Sequence, residues 1–148
     1  MNDLAEFFRK KKESVAQLEL NNNKEEMLQE WLDALQKLFD QFRRWLEPAV
    51  NEGLVVKLYH KEIAEEDLGT YQAPALEVSF GLRRVRIEPI ARLIIGGAGR
   101  VDVDSWRGIF KFIRSVPQGE WYLVRKGLAE AEPLEERVFT NLIKEIFA

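Results

Sequence analysis

The hydrophobic pattern of this chain changes its period once, near residue 54. Apolar side chains recur every three or four residues before that point and every second residue after it. A helix stripe repeats every 3.6 residues and a strand face every 2, so neither half of the pattern fits the other's backbone. The chain therefore reads as helix first and sheet second.

Before the change, residues 24–47 carry three heptad rows: Leu28, Leu35, Phe42; Trp31, Leu38, Trp45; and Leu32, Phe39, Leu46. Together they form a stripe wider than a two-stranded seam, which calls for more than one packing neighbour. The preceding stretch is poorer, because Leu4, Phe7, Phe8, Val15 and Leu18 are interrupted by Arg9, Lys10, Lys11 and Lys12. Four consecutive cations point all round a helix, so this run reads as a solvated surface rather than a membrane-facing one. Asp3 with Glu6, and Asn23 with Glu26, have the spacing of a capping box, and Asn21 to Asn23 suit a tight turn. These signals predict an αα-hairpin over residues 1–52, ending near Pro48 and Gly53, that serves as an association element.

After the change, Leu54, Val56 and Leu58 alternate with outward positions, a turn follows at Glu65 to Gly69, and Leu76, Val78 and Phe80 resume the alternation. A reversal at 81–83 leads to Val85 and Ile87, and Pro89 is expected to end that strand. Leu93 to Ile95 and Val101 to Val103 flank Gly96, Gly97, Ala98 and Gly99, which predicts another hairpin. Residues 105–116 fit either a helical face or a strand, and the turn signal Pro117, Gln118, Gly119 favours a strand paired with 120–126. Pro133 as a first helical residue, followed by Glu135 and Glu136, opens a closing amphipathic helix. Connections this short select antiparallel pairing. The expected class is α+β: an N-terminal αα-hairpin, an antiparallel meander of six or seven strands able to curl into a barrel, and a C-terminal helix. Residues 53–148 are expected to form one cooperative unit with the hairpin.

Composition narrows the chemistry. The chain has no cysteine, which excludes disulfides, thiolate metal sites and a cysteine nucleophile, and its one histidine is His60. The longest run free of polar side chains, Leu93 to Gly99, is far below the roughly 18 residues needed to span a bilayer. A soluble cytoplasmic protein without membrane contact is expected. The net charge of −3 conceals an asymmetry: residues 82–127 hold ten cations against four anions, whereas 1–52, 53–81 and 128–148 are each acidic.

The candidate sites follow from these patterns. Gly96 to Gly99 leads into alternating residues rather than a helix and lacks the Lys and Ser or Thr of a phosphate loop, so it reads as a hairpin turn. Asp102 and Asp104 share a strand face but have no third ligand in the pattern, and His60 has no orienting partner beside it. A hydrolase built from these three needs them to converge in one pocket. The basic segment is the richer candidate: Arg84, Arg86, Arg100, Arg107, Lys111 and Arg114, with Trp106 and Trp121 interleaved, resemble the mixture of guanidinium forks and rings that binds single-stranded nucleic acid. The whole-chain pI of about 5.4 argues instead that these arginines meet the protein's own acidic segments.

The leading expectation is thus a non-enzymatic binding or adaptor protein, without cofactor or metal. It is expected to self-associate, first as a homodimer, through Trp31, Leu35, Leu38, Phe42 and Trp45, and to have room for a further protein partner. Nucleic-acid or polyanion binding through 82–127 is the alternative.

Overall fold

The computed structural model describes residues 3–92, 94, 97–115, 119–125 and 130–148, with the side chains of 14–22 outside the description. The order is helix α1 (Asp3–Val50), strands β1 (Val55–Glu65), β2 (Gly69–Phe80), β3 (Arg83–Ala91), β4 (Arg100–Ser105), β5 (Gly108–Arg114), β6 (Trp121–Val124) and β7 (Glu132–Pro133), and helix α2 (Glu136–Phe147). The α+β class stands as the sequence indicates, with a seven-stranded antiparallel sheet between the two helical segments.

Four details differ from the sequence expectation. The N-terminal segment, expected as an αα-hairpin, is carried as one helix, Asp3–Val50, with Asn21 to Asn23 inside it. Asparagine costs only about 0.7 kcal/mol per position in a helix, and no Gly or Pro stands between residues 3 and 47 to force a break. A reversal there would forfeit several backbone hydrogen bonds, so the capping signal at Asn23 is overridden. The sheet is open rather than barrel-like: its strands run in sequence order from β1 to β7, leaving those two as edges. Pro89 lies within β3, opposite Val101 of β4. On the β2 side, the ladder stops at Leu76↔Ile87, short of the positions where Pro74 and Pro89 would meet without an N–H between them. Pro133, expected to open the last helix, lies instead in edge strand β7 against Tyr122, where an absent donor costs nothing. Helix α2 begins after Glu135.

The glycine-rich segment also pairs differently. β4 lies between β3 and β5, where Val101 pairs with Pro89 and Val103 with Ile87 of β3. Ile94 makes an isolated bridge to Gly97, while Leu93, Ile95 and Gly96 lie outside the described residues. Residues 105–114 resolve as the end of β4, a two-residue turn and β5, as the downstream turn signal indicates, and Val116 lies outside the described residues. Pro117 and Gln118 of that signal lie outside the described residues, but β5 and β6 pair across them at Arg114↔Trp121.

The core sits between one face of the sheet and the two helices. Val78, Val85, Ile87, Val101, Val103, Phe112 and Leu123 come from the sheet, and Trp31, Leu35, Leu38, Phe39, Phe42 and Leu46 from α1. Phe139, Leu142 and Ile146 from α2 complete it. Phe42 is the hub: its ring stacks on Phe139 at 4.4 Å between centroids and meets Phe112 at 5.4 Å and Phe39 at 5.6 Å. Burying an aromatic side chain contributes about 1.5–3 kcal/mol before packing geometry is counted. At the chain exit from α1, Leu54 donates to Ala49 and Gly53, with φ of 103°, donates to Val50. The left-handed glycine turns the helix end into β1.

Candidate functional site

The width of the α1 stripe is explained within the chain. Trp31, Leu35, Leu38 and Phe42 are fully buried, and Trp45 is half-buried against Phe42 and Phe139. The residues expected to hold a second subunit are therefore the domain's own core. They cover the sheet and α2 at once, the two neighbours that a stripe of this width requires.

Part of what the domain does not cover, besides residues of the sheet and its turns such as Phe80, Leu82 and Ile109, lies earlier in the same helix. Leu4, Phe7 and Phe8 are exposed to 64, 56 and 57%. Phe7 and Phe8 meet edge to face at 5.3 Å, and Lys11 lies over the Phe7 ring at 5.9 Å. Arg9 forms an ion pair with Glu6. The interrupted stripe from Leu4 to Leu18 was the sequence signal for this arm; Val15 and Leu18 fall among the residues whose side chains are outside the description.

The basic segment is scattered and largely matched inside the chain. The sheet face away from the helices bears a register row Lys57, Glu77, Arg86, Asp104 across β1 to β4, which alternates in sign. Arg84 and Arg86 both reach Glu77, at 3.8 and 3.6 Å. Cross-strand opposite charges of this kind stabilise a wet sheet face modestly. Arg84, Arg86, Asp104 and Ser105 line a shallow hollow there, and Lys111 sits exposed on the same face opposite Asp102. Arg100 forks onto Asp102, Nε to Oδ1 at 2.7 Å and Nη2 to Oδ2 at 2.9 Å. That hydrogen-bonded carboxylate raises the arginine pKa and explains how Asp102 is tolerated at 8% exposure.

Arg107 and Arg125 instead hold α2. The β4–β5 turn, closed by Ser105 Oγ donating to Gly108 O, projects Arg107 so that its guanidinium donates to the carbonyls of Ile146 and Ala148. A cation at a helix C-terminus satisfies end carbonyls and opposes the negative end of the macrodipole. Arg125 forks onto Glu145, a hydrogen bond that lowers the Glu145 pKa. Lys126, the other cation at this end of the basic segment, lies outside the described residues. The aromatics are engaged too: Trp121 packs on Trp31 at 6.1 Å, and Trp106 on Phe147 at 5.3 Å with Arg83 over its ring.

Arg114 faces α1. It forms a two-pronged pair with Glu30, and this hydrogen bond, ahead of the attraction of Arg114 and Arg92, lowers the Glu30 pKa despite partial burial. Beside it runs a chain of donors and acceptors, buried at Trp31 and Tyr71 and part-buried at Glu65. Trp31 Nε1 donates to the Tyr71 hydroxyl at 3.0 Å, the hydroxyl donates to Glu65, and Glu65 accepts the Arg92 backbone N–H at 3.0 Å. Burial, reinforced by the bond to Glu65, raises the Tyr71 pKa, so its proton stays in place across ordinary pH. These links tie the distal ends of β1 and β2 to α1 and to the glycine-rich segment. Gly99 is required there: any side chain would overlap the Trp31 ring. This close approach to the Trp31 ring is what Gly99 makes possible.

The register separates the three residues of the hydrolase arrangement. His60 pairs with Pro74 on the Leu76 and Val78 face of β2, whereas Asp102 and Asp104 share the opposite face with Glu77 and Arg86. They do not converge. Among the described residues, no group of three His, Cys, Asp or Glu is placed to hold a metal ion, and no helix is long and apolar enough to cross a membrane. Comparison with known proteins finds no match to a family model, a curated sequence or a solved structure.

Proposed function

We propose that this chain is a non-enzymatic binding protein of the adaptor type that self-associates through its N-terminal helix, with the arm of one copy docking on the domain of a second. The observation that carries this reading is the exposure of Phe7 and Phe8 on a helical arm about 30 Å long. Most helical stability in water comes from packing an apolar face, and these two rings are more than half exposed. Burying the two rings would contribute roughly 1.5–3 kcal/mol each.

Charge complementarity points to a second copy as the occupant. The arm carries Arg9, Lys10, Lys11 and Lys12 in succession. Between α1 and the β6–β7 edge runs an open groove of about 990 Å³ with Ala34, Leu38, Trp121, Pro133 and Leu134 in its lining, where Glu26, Glu30, Asp33 and Glu120 outnumber Lys37 and Arg114. An amphipathic basic helix laid in an acidic-rimmed apolar groove is a recurrent recognition mode. The polyanion alternative draws less support, since Arg84, Arg86, Arg100, Arg107, Arg114 and Arg125 each have acceptors within the chain.

Light scattering of the purified chain at micromolar concentration tests the proposal. A dimer mass is expected, converting to monomer in the double variant Phe7→Glu, Phe8→Glu with unchanged circular dichroism of the sheet. A monomer in the parent chain overturns it.

A further inference from the structure

A second feature, which shares Glu26, Glu30 and Arg114 with the groove above, lies where α1 crosses the ends of β3 and β5. A cleft of about 460 Å³ opens there, lined by Asn23, Glu26 and Glu30 of α1, by Arg92, and by Arg114 and Ser115. Two arginines enter it from different parts of the sheet, and the Nε atoms of both are buried without a hydrogen-bond partner. Such donors are costly to leave unmade, and guanidinium Nε–H groups seek acceptor oxygens. The wall beside Arg114 is also kept low: Gly119, with φ of 73°, lies where a Cβ would stand 3.3 Å from Arg114 Nη2 and 3.4 Å from Nε.

The acceptor already present is movable. Glu30 takes the two terminal nitrogens of Arg114, leaving Nε without a partner, and its side chain is 51% exposed against 12% for Arg114. The fixed partner is the arginine, and the carboxylate can swing into solvent. Glu30 thus occupies the position of a ligand's oxyanion and competes with it.

We propose that this cleft binds the oxyanion of a small ligand, a carboxylate or a phosphate group, between the guanidinium groups of Arg92 and Arg114, with Glu30 as the built-in competitor it displaces. Planar forks pair with either group through two parallel N–H···O bonds. Asn23 and Ser115 border the same space and offer polar contacts to the rest of the ligand. The size of the cleft suits a small molecule rather than a polymer.

The test uses the full chain titrated separately with inorganic phosphate, acetate and citrate, with sodium chloride at matched ionic strength as the control, read by calorimetry and by the shift in thermal midpoint. Binding in the millimolar range, about that of a lone anion on two donors, is expected for at least one probe beyond the chloride control. Phosphate alone marks a phosphorylated ligand, acetate or citrate alone marks a carboxylate, and both together mark the shared oxyanion chemistry. Arg92→Met is expected to weaken binding at least about tenfold, with Arg92→Lys in between. Glu30→Gln is expected to tighten binding several-fold, an effect that loss of a merely structural ion pair would not produce. The proposal is overturned if no probe exceeds chloride, or if Arg92→Met and Glu30→Gln, both folded by circular dichroism, bind as the parent does. Because the docking groove shares Glu30 with this cleft, the titrations are repeated on Phe7→Glu, Phe8→Glu, which alters neither arginine nor Glu30 and so separates this proposal from the dimer reading.

Discussion

The two ends of α1 belong to one helix and share a helical repeat of apolar residues, yet one end is core and the other is surface. Trp31, Leu35, Leu38, Phe39, Phe42 and Leu46 are buried in the core with the sheet and α2, whereas Phe7 and Phe8 remain more than half exposed. The helix backbone is continuous between them. What separates the two ends is the sheet, which stops short of the arm. Apolar periodicity marks a face that needs cover, and whether the chain itself supplies that cover depends on how far the neighbouring layer extends.

The sharpest way to break this comparison is to truncate a ring at each end. Phe42→Ala removes the hub between α1, β5 and α2 and should cost about 3–5 kcal/mol, measured by urea unfolding. Phe8→Ala should change the stability of dilute protein by no more than about 0.5 kcal/mol. Any larger cost at Phe8 should grow with protein concentration, because it then reports association. A large cost that is independent of concentration would show that the arm packs on its own domain.

A smaller but still clear effect is expected where the packed end meets the glycine-rich segment. Gly99→Ala drives a methyl group into the Trp31 ring, which should cost roughly 1–3 kcal/mol, with a fall in Trp31 hydrogen-bond protection visible by exchange of the indole N–H. Retained stability and protection would mean that the segment is not fastened to α1 as described. Arg107→Ala removes the cation from the end of α2 and should cost about 0.5–1 kcal/mol, read as a lower thermal midpoint. An unchanged midpoint would reduce that contact to an exposed surface pair.

The smallest expected effect depends on pH. Glu30 and Glu145 have lowered pKa values because Arg114 and Arg125 hydrogen-bond to their charged forms. A carboxylate whose folded pKa lies below its unfolded value stabilises the fold above the unfolded value, and that stabilisation is lost as pH falls through the folded value. Thermal midpoints should therefore drop as the solution is acidified below the ordinary carboxylate range, and the drop should be shallower in Glu30→Gln. Both carboxylates are largely exposed, so screening keeps the difference small. Identical acid profiles for parent and variant would remove Arg114–Glu30 as a contributor to the packed end.

Much of this arrangement is legible from residue order. The change of period at residue 54, the alternation of Val85 with Ile87 and of Val101 with Val103, and the apolar face of 134–147 are local patterns set by side-chain geometry, and each is found as expected. The capping signals at Asn21 to Asn23 and the stop at Pro89 are local too, but their cost is small beside the hydrogen bonds of a continuous helix or ladder, so neighbours overrule them. Arg92 gave little signal of its own, because a lone arginine after a strand looks like any surface cation. Its significance arises from Arg114 and Glu30, 22 and 62 positions away in sequence.

The sequence by itself determined the class, the antiparallel pairing and the presence of a basic segment, since these follow from periodicity, turn length and charge counting. Tertiary structure decided which apolar stripe is core, which arginines have partners and which face is open. Those properties depend on contacts between residues far apart in the chain, such as Phe42 with Phe139 or Arg107 with Ile146, and no local pattern encodes the distance between them.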